Sequence, residues 1–487
     1  MVIESLKYKI LQQFGFAPTQ EQGQALDTFV SFLTDRDPQA VMILRGSAGT
    51  GKTSLSGAIV RTLLQIRQKV MLLAPTGRAA KVFSLGSGAP AYTIHRRIYR
   101  EKSFAGVDGQ FSLNDNLYTD TLFMVDEASM IANMGLGGTT FGSGCLLDDL
   151  VKFVYQGHND RLLLIGDKAQ LPPVGEEESP ALSASVIEGY GLKVYECDLN
   201  EVLRQSQSSG ILYNATLIRQ MITHDAVTGL PLIRFKGFAD IVMMPGAELV
   251  ESLGDSYHHV GLDETMVITR SNKRANIYNN GIRNMVLDRE EELSSGDMLM
   301  IVKNNYFWTE KEKNSGEGSA GAVPAFLANG DRAKVLRVSN YIELYGFRFA
   351  TLLLQLPDYD DYEMQVTGML DTLQSEAPAL THEQQEELFR QVEEDYQHFV
   401  PLKADRMKSI RQDAYFNALQ IKYAYAVTCH KAQGGQWAHV YVDQGYMTDD
   451  MLTPDYIHWL YTAFTRATDK LFLVNWPKEQ TCEPTDL

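Results

Sequence analysis

The chain has 487 residues, 44% hydrophobic and 22% charged, the make-up of a globular protein with core enough for two to four domains. No apolar run is long enough to span a bilayer and the first residues lack a basic-then-apolar leader, so a cytoplasmic protein without a membrane partner is expected. A net charge of −17 excludes a nucleic-acid binder that works by overall positive charge. It does not exclude a local basic groove, because much of the acid is gathered in Pro357–Glu394. Cys145, Cys197, Cys429 and Cys482 are scattered singly and make neither a disulfide framework nor a zinc site.

In chain order, the apolar run Val41–Leu44 reads as a strand and leads directly into Gly46-Ser-Ala-Gly-Thr-Gly-Lys52-Thr53. Glycine, four residues, then Gly-Lys-Thr between a strand and a helix is a phosphate-binding loop. Its glycines let successive N–H groups turn inward, and the following helix offers its positive end to phosphate. Gly46, Ala48, Gly49, Thr50, Gly51 and Lys52 are the expected contacts to a nucleoside triphosphate, with Thr53 on Mg²⁺. Lys69–Pro75 is the next strand, and Tyr99–Leu113 reads as a hairpin turning at Asp108-Gly109. Thr121–Val125 is a buried strand ending in Asp126-Glu127. There Asp126 suits the Mg²⁺ shell, and Glu127 suits a base for an attacking water. Met134–Cys145, rich in glycine and threonine, reads as a mobile loop. Arg161–Ile165 leads into Gly166-Asp-Lys-Ala-Gln170-Leu-Pro-Pro-Val174. Gln170 at a strand's end is placed to sense a terminal phosphate, and the prolines stiffen the exit.

Met266–Thr269, Val440–Val442 and Leu471–Val474 form a second group of strands. Strands alternating with helices in both groups predict parallel sheets, hence two α/β lobes. Between the late strands, Gly296–Lys303 is strand-like, Lys311–Ala320 reads as a loop, and Ala333–Leu356 reads as paired strands around Ser339-Asn340. This is a small β-module inserted in the second lobe. Thr381-His-Glu-Gln384 is a capping box that starts an acidic, solvated helix running to about Val400. The expected division is 1–200 for the first lobe with a hairpin insert near 99–113, 201–295 and 421–487 for the second lobe, and 296–420 for the insert with its acidic helix.

Together the phosphate loop, Asp126-Glu-Ala-Ser129 and Gly166–Val174 resemble the first motor lobe of superfamily 1 helicases. The Gln-Leu-Pro-Pro form resembles their RecD-like and Dda-like branch. Pro18-Thr-Gln-Glu-Gln22 resembles the family's adenine-reading motif, with Gln22 as reader. Ala74–Ala80 resembles the segment that touches the single strand, which implies contacts from Pro75, Thr76 and Arg78. Ala91–Arg96 resembles the next element, with His95 near the strand, and Leu199–Arg204 the segment whose Arg204 approaches the γ-phosphate. Val427–Gly434 resembles the motif joining the ATP site to the nucleic-acid track. It implies Thr428, His430 and Lys431 on the strand and Gln433 and Gly434 on the nucleotide. Tyr461–Ala467 resembles the last motif, with Arg466 as the arginine finger. One departure is Gln436, where many relatives carry glutamate.

The resemblance implies two RecA-like motor lobes, an SH3-like β-module that helps close a channel over the strand, and a strand-separating pin at the Tyr99–Leu113 hairpin. Phe104 or Phe111 would then stack on bases. A purely stabilising β-insert and a plain hairpin are the alternatives. The implied catalytic set is Lys52, Glu127, Gln170, Arg204 and Arg466, the cofactors ATP and Mg²⁺, and the partners single-stranded and forked duplex DNA. The implied activity is ATP-driven 5′ to 3′ translocation and unwinding. An RNA-directed motor, the motor subunit of a nuclease–helicase complex, and a nucleotide-switched scaffold are the competing readings.

Overall fold

The computed structural model describes residues 2–105, 108–135, 142–202, 208–223, 229–315, 324, 326–448 and 451–482, with side chains for all of these except 2–4, 101–105, 108–110 and 315. Two compact units are present. The first comprises Met1–Met243, Ala432–Ala438 and Tyr446–Leu487, and the second Met244–Lys431 and His439–Gly445.

The strands of the first unit are β1 (Ala40–Gly46), β2 (Lys69–Ala74), β3 (Ala91–Thr93), the pair β4 (Tyr99–Ala105) and β5 (Asp108–Leu113), β6 (Thr121–Val125), β7 (Arg161–Gly166), β8 (Lys193–Leu199) and β9 (Ile241–Met244). Six of them form one sheet in the order β3-β2-β6-β7-β1-β8, every neighbouring pair parallel. Strand alternation sends Met42, Leu44, Met124 and Leu163 to one face, where they pack with Leu26, Phe29, Leu55 and Ile59 from helices. Val41, Ile43, Phe123 and Leu164 go to the other face, against Leu147, Leu150 and Phe153. A sheet covered on both faces needs apolar residues at every position, which is why its strands read as continuous apolar runs.

Two features of this unit differ from expectation. Val2–Phe14 is a helix, and its Leu6, Ile10 and Phe14 join the first core. The Tyr99–Leu113 hairpin exists, but Asp108 and Gly109 are not its turn. They sit in β5 opposite Ala105 and Phe104, and residues 106–107 lie outside the described set. Half of the Met134–Cys145 loop, residues 136–141, likewise lies outside it.

The second unit contains β10 (Thr265–Thr269), β11 (Met298–Ile301), β12 (Arg332–Leu344), β13 (Phe347–Leu356), β14 (Tyr362–Met369), β15 (Leu419–Tyr423), β16 (Ala426–Thr428) and most of β17 (Trp437–Asp443). β10 pairs in parallel with both β16 and β17. β11 to β15 close into a barrel, antiparallel except where Gly368 and Met369 of β14 pair in parallel with Leu419 and Gln420. The last strand, β18 (Ala467–Val474), belongs to the first unit and neighbours β9. The α/β class, with parallel-sheet lobes and a small inserted barrel, is as the sequence predicts.

Details of the insert differ. The β12–β13 turn is Tyr345-Gly346, whereas Ser339-Asn340 lies at a register shift with Asn340 at φ 51°. Asparagine tolerates that left-handed backbone in bulges as it does in turns, so the local signal was real and the element wrong. Lys311–Ser315 is the end of a helix, Phe307–Ser315, rather than a loop. The acidic helix His382–Gln397 has its capping box, but it is not wholly solvated. Its Leu388 and Val392 are buried with Phe349, Met369 and Ile410. Among the described residues no helix is long and apolar enough to cross a membrane.

Candidate nucleotide site and its polar network

β6, β7 and β1 are neighbours, so their carboxyl ends bring Asp126-Glu127, Asp167–Gln170 and the loop Gly46–Thr53 to one edge of the sheet. Ligands of open parallel sheets bind at that edge. Gly51 caps the helix Lys52–Gln65 at φ 81°, a conformation that a side chain would strain. The Lys52 ammonium folds back over the loop and donates to the carbonyls of Gly46 and Ser47. Thr53 is exposed in the first turn of that helix. Gln22 is buried, with both ends of its amide hydrogen-bonded. Its Nε2 donates to Thr50 O at 2.9 Å, and its Oε1 accepts from Thr19 N at 3.0 Å. Gln22 thus ties the helix Gln20–Leu33 to the phosphate loop.

Asp126 and Glu127 follow β6. Glu127 holds φ 52° and donates its N–H to Asp126 Oδ1 at 2.9 Å. A non-glycine residue in the left-handed region carries strain of the kind that accumulates at functional sites. Burial, and then the neighbouring Glu127 charge, push the Asp126 carboxyl well above the ordinary range, while the Glu127 N–H and Lys52 pull it down. Two adjacent carboxylates and the Thr53 hydroxyl are hard oxygen donors. They suit a Mg²⁺ ion that keeps waters and phosphate oxygens in its shell. Among the described residues no group of three or more His, Cys, Asp or Glu could hold a metal ion.

The helix Pro454–Phe464 lays a polar stripe along the segment after β7. His458 Nδ1 donates to Ala169 O at 2.9 Å, and the Leu171 N–H donates to Thr462 Oγ1 at 2.8 Å. The Tyr461 hydroxyl accepts the Ala48 N–H at 2.9 Å and donates to Asp167 Oδ2 at 2.7 Å. Burial and Asp167 keep that phenol protonated. Gln433 Nε2 adds a bond to Leu171 O at 2.7 Å. With the Gln170 amide nitrogen toward Glu127, it donates to Oε2 at 3.3 Å and its oxygen accepts from Arg466 Nη2 at 3.2 Å. Arg466 is 2% exposed, and it gives Nε, Nη1 and Nη2 to Thr462 O, Gly435 O and Thr465 Oγ1. Lys52, Glu127, Gln170 and Arg466 therefore share one neighbourhood, while Arg204 lies outside the described residues.

Gln433 and Gly434, expected on the nucleotide, are held against other parts of the chain. Gln433 is on the segment after β7, and a Cβ at Gly434 would come within 2.9 Å of Ala79 Cβ and 3.1 Å of Thr76 Oγ1. Thr76 caps the helix Gly77–Ser87, with Pro75 half-buried just before it. Arg78 Nη2 donates to Gln436 O at 3.0 Å, and its guanidinium lies 5.9 Å from the Trp437 ring centre. His95 packs 5.5 Å from Tyr99, and desolvation holds its pKa down at about 4 despite Asp149. It is neutral near pH 7, so it offers a hydrogen bond or a ring face rather than a charge. Phe111 packs half-buried against the second-face core, and the side chain of Phe104 lies outside the described set. In the second unit Thr428 ends β16, His430 is exposed, and Lys431 is half-buried.

The sequence by itself does not single out Tyr461, His458, Thr462 or Asp167 as participants. Nor does it single out Tyr92, whose ring centre has the Arg97 and Arg96 guanidinium carbons at 3.7 and 5.2 Å. His458, Tyr461, Thr462 and Thr465 recur at three- and four-residue steps, a one-face pattern that was available in the sequence.

A family described as an AAA domain matches residues 17–229, and one described as a UvrD-like helicase C-terminal domain matches residues 423–474. The ATP-dependent RecD2 DNA helicase of Deinococcus radiodurans is 30% identical over 157 residues, which are 32% of this chain and 18% of that protein. The ATP-dependent DNA helicase dda of Enterobacteria phage T4 is 26% identical over 275 residues, 53% of this chain and 55% of that protein. The chain thus spans less than two thirds of either curated relative. A solved Pif1 helicase from Bacteroides, in complex with ADP-AlF3 and single-stranded DNA, is similar at a TM-score of 0.46 and 14% identity, covering 96% of this chain and 95% of that one.

Proposed function

We propose that this chain, a superfamily 1 helicase of the RecD-like and Dda-like type, hydrolyses ATP to move 5′ to 3′ along single-stranded DNA and to unwind forked duplex. The observation that carries this reading is the shared network of the phosphate loop, Asp126-Glu127, Gln170 and Arg466 at the carboxyl edge of β6, β7 and β1. Lys52 would leave the Gly46 and Ser47 carbonyls for the β- and γ-phosphates, and the loop N–H groups would cradle them. Thr53 and Asp126 would hold Mg²⁺, whose role when bound is to neutralise charge on the phosphate oxygens. Glu127 would accept the proton of the attacking water. Gln170, between Glu127 and Arg466, would report the terminal phosphate to the helix Pro454–Phe464. Arg204 and Arg466 are the residues that the resemblance assigns to the developing phosphoryl charge, Arg466 reaching the site through Gln170.

DNA as the substrate follows the RecD2 and dda enzymes, both DNA helicases by name. Pro75, Thr76, Arg78 and His95, together with Thr428, His430 and Lys431, are the proposed strand contacts, which grip phosphates and bases with little sequence readout. We read 1–200 and 201–295 with 421–487 as the motor lobes, 296–420 as the insert, the hairpin as the pin, and the cytoplasm as the place of action.

Lys52→Ala tests the site. It should abolish ATP turnover stimulated by single-stranded DNA and leave the thermal unfolding midpoint within about 2 °C of the parent, since among the described residues the Lys52 ammonium bonds loop carbonyls alone. Undiminished turnover in a contaminant-free preparation would remove the loop from the reaction.

A further inference from the structure

The helix Gly210–Thr223 contributes nothing to the segments that resemble family motifs, yet one of its faces lies on the phosphate loop. Leu212 and Arg219 are two turns apart on that face. A Cβ at Gly49 would come within 3.2 and 3.3 Å of the Leu212 methyls, so this helix closes against the loop's midpoint. Two turns on, Arg219 Nη1 donates to Ser47 Oγ, and both terminal nitrogens approach Asn200 O at 3.4 Å. The start of the helix is fixed by Asp240, which accepts from Gly210 N at 2.7 Å and from Ser209 Oγ at 2.5 Å. The helix is therefore a firm mount for Arg219.

The charge on Arg219 is what needs explaining. It is half-buried, and among the described residues its hydrogen-bond partners are neutral: one hydroxyl and one carbonyl. A half-buried guanidinium normally sits opposite a carboxylate or a phosphate. The residues it addresses, Ser47 with Ala48 beyond, are also where the Lys52 ammonium ends, on the carbonyls of Gly46 and Ser47. Two cations from different helices thus converge on one stretch of a loop whose N–H groups bind anions.

We propose that Arg219 contacts the terminal phosphate of the bound nucleoside triphosphate, in addition to the arginines of the motif segments. The proposal rests on the ATPase reading above and names a further residue of that site. A planar fork beside Ser47 holds two oxygens of a γ-phosphate at once, and it loses that partner when the γ-phosphate leaves. The Ser47 hydroxyl then serves as the resting acceptor.

The test compares binding of ADP and of the non-hydrolysable triphosphate AMP-PNP by calorimetry, with ATP turnover measured separately, for the parent chain, Arg219→Gln and Arg219→Lys. Arg219→Gln should bind ADP within about twofold of the parent and AMP-PNP at least ~10-fold more weakly, the scale of one charge-assisted hydrogen bond. Arg219→Lys, which keeps charge but not the fork, should fall between them. Equal weakening of both nucleotides would make Arg219 a mere brace for the loop and overturn the proposal, as would an unchanged ratio. A parent chain that hydrolyses no ATP, but loses its triphosphate preference on Arg219→Gln, would retire the motor reading and leave this contact standing.

Discussion

At the scale of single residues, what the sequence revealed is what local chemistry dictates. Gly51 and Lys52 need only their immediate neighbours to form a phosphate loop, and Asp126 needs only the strand before it. The partners of Tyr461 and Arg219 were invisible for the opposite reason. The bond between Tyr461 and Ala48 joins residues 413 positions apart, and no local pattern announces it. His95 shows how burial changes a role that position alone suggests. Its pKa lies near 4 in the folded chain against 6.5 unperturbed, so the unfolded state takes up the proton first as pH falls. The stability that neutral His95 contributes is complete above pH 6.5 and is lost progressively down to about pH 4. His95→Gln removes this titration. Its unfolding midpoint should fall less between pH 7 and pH 5 than that of the parent, as followed by circular dichroism. Parallel pH profiles for the two proteins would show that His95 is not desolvated.

At the scale of elements, the strands of the first sheet were legible because both faces are covered and each is a continuous apolar run. The insert was legible as β-structure but not in its turns, since Asp-Gly and Ser-Asn fit bulges and strand ends as well as hairpins. Nor did periodicity reveal what anchors the barrel to its unit. Asp297, wholly buried just before β11, accepts from Arg283 at 3.1 Å, Arg289 at 2.7 Å and the Tyr425 hydroxyl at 2.7 Å. Removing the carboxylate leaves the buried Arg283 without its counter-charge, a loss worth about 3–5 kcal/mol. Asp297→Ala should therefore lower the thermal midpoint by more than ~5 °C. A midpoint unchanged from the parent would mean that water or a rearranged neighbour already compensates the arginines.

For the whole molecule, the order of segments from Pro18 to Ala467 carried more than any one of them, and the matched families cover both ends of that order. The network around Tyr461 adds a physical reason why the ends belong together. The helix Pro454–Phe464 holds the segment after β7, while its tyrosine holds the phosphate loop. Under the proposed function, a phosphate accepting from the Ala48 N–H would compete with the Tyr461 hydroxyl, which accepts from it here and donates to Asp167. The most direct test of the central claim is unwinding of matched duplexes carrying either a 5′ or a 3′ single-stranded DNA tail, with ATP and Mg²⁺. The account predicts strand separation from the 5′-tailed duplex and none from the 3′-tailed one; unwinding only from the 3′ tail, or from neither, would contradict it.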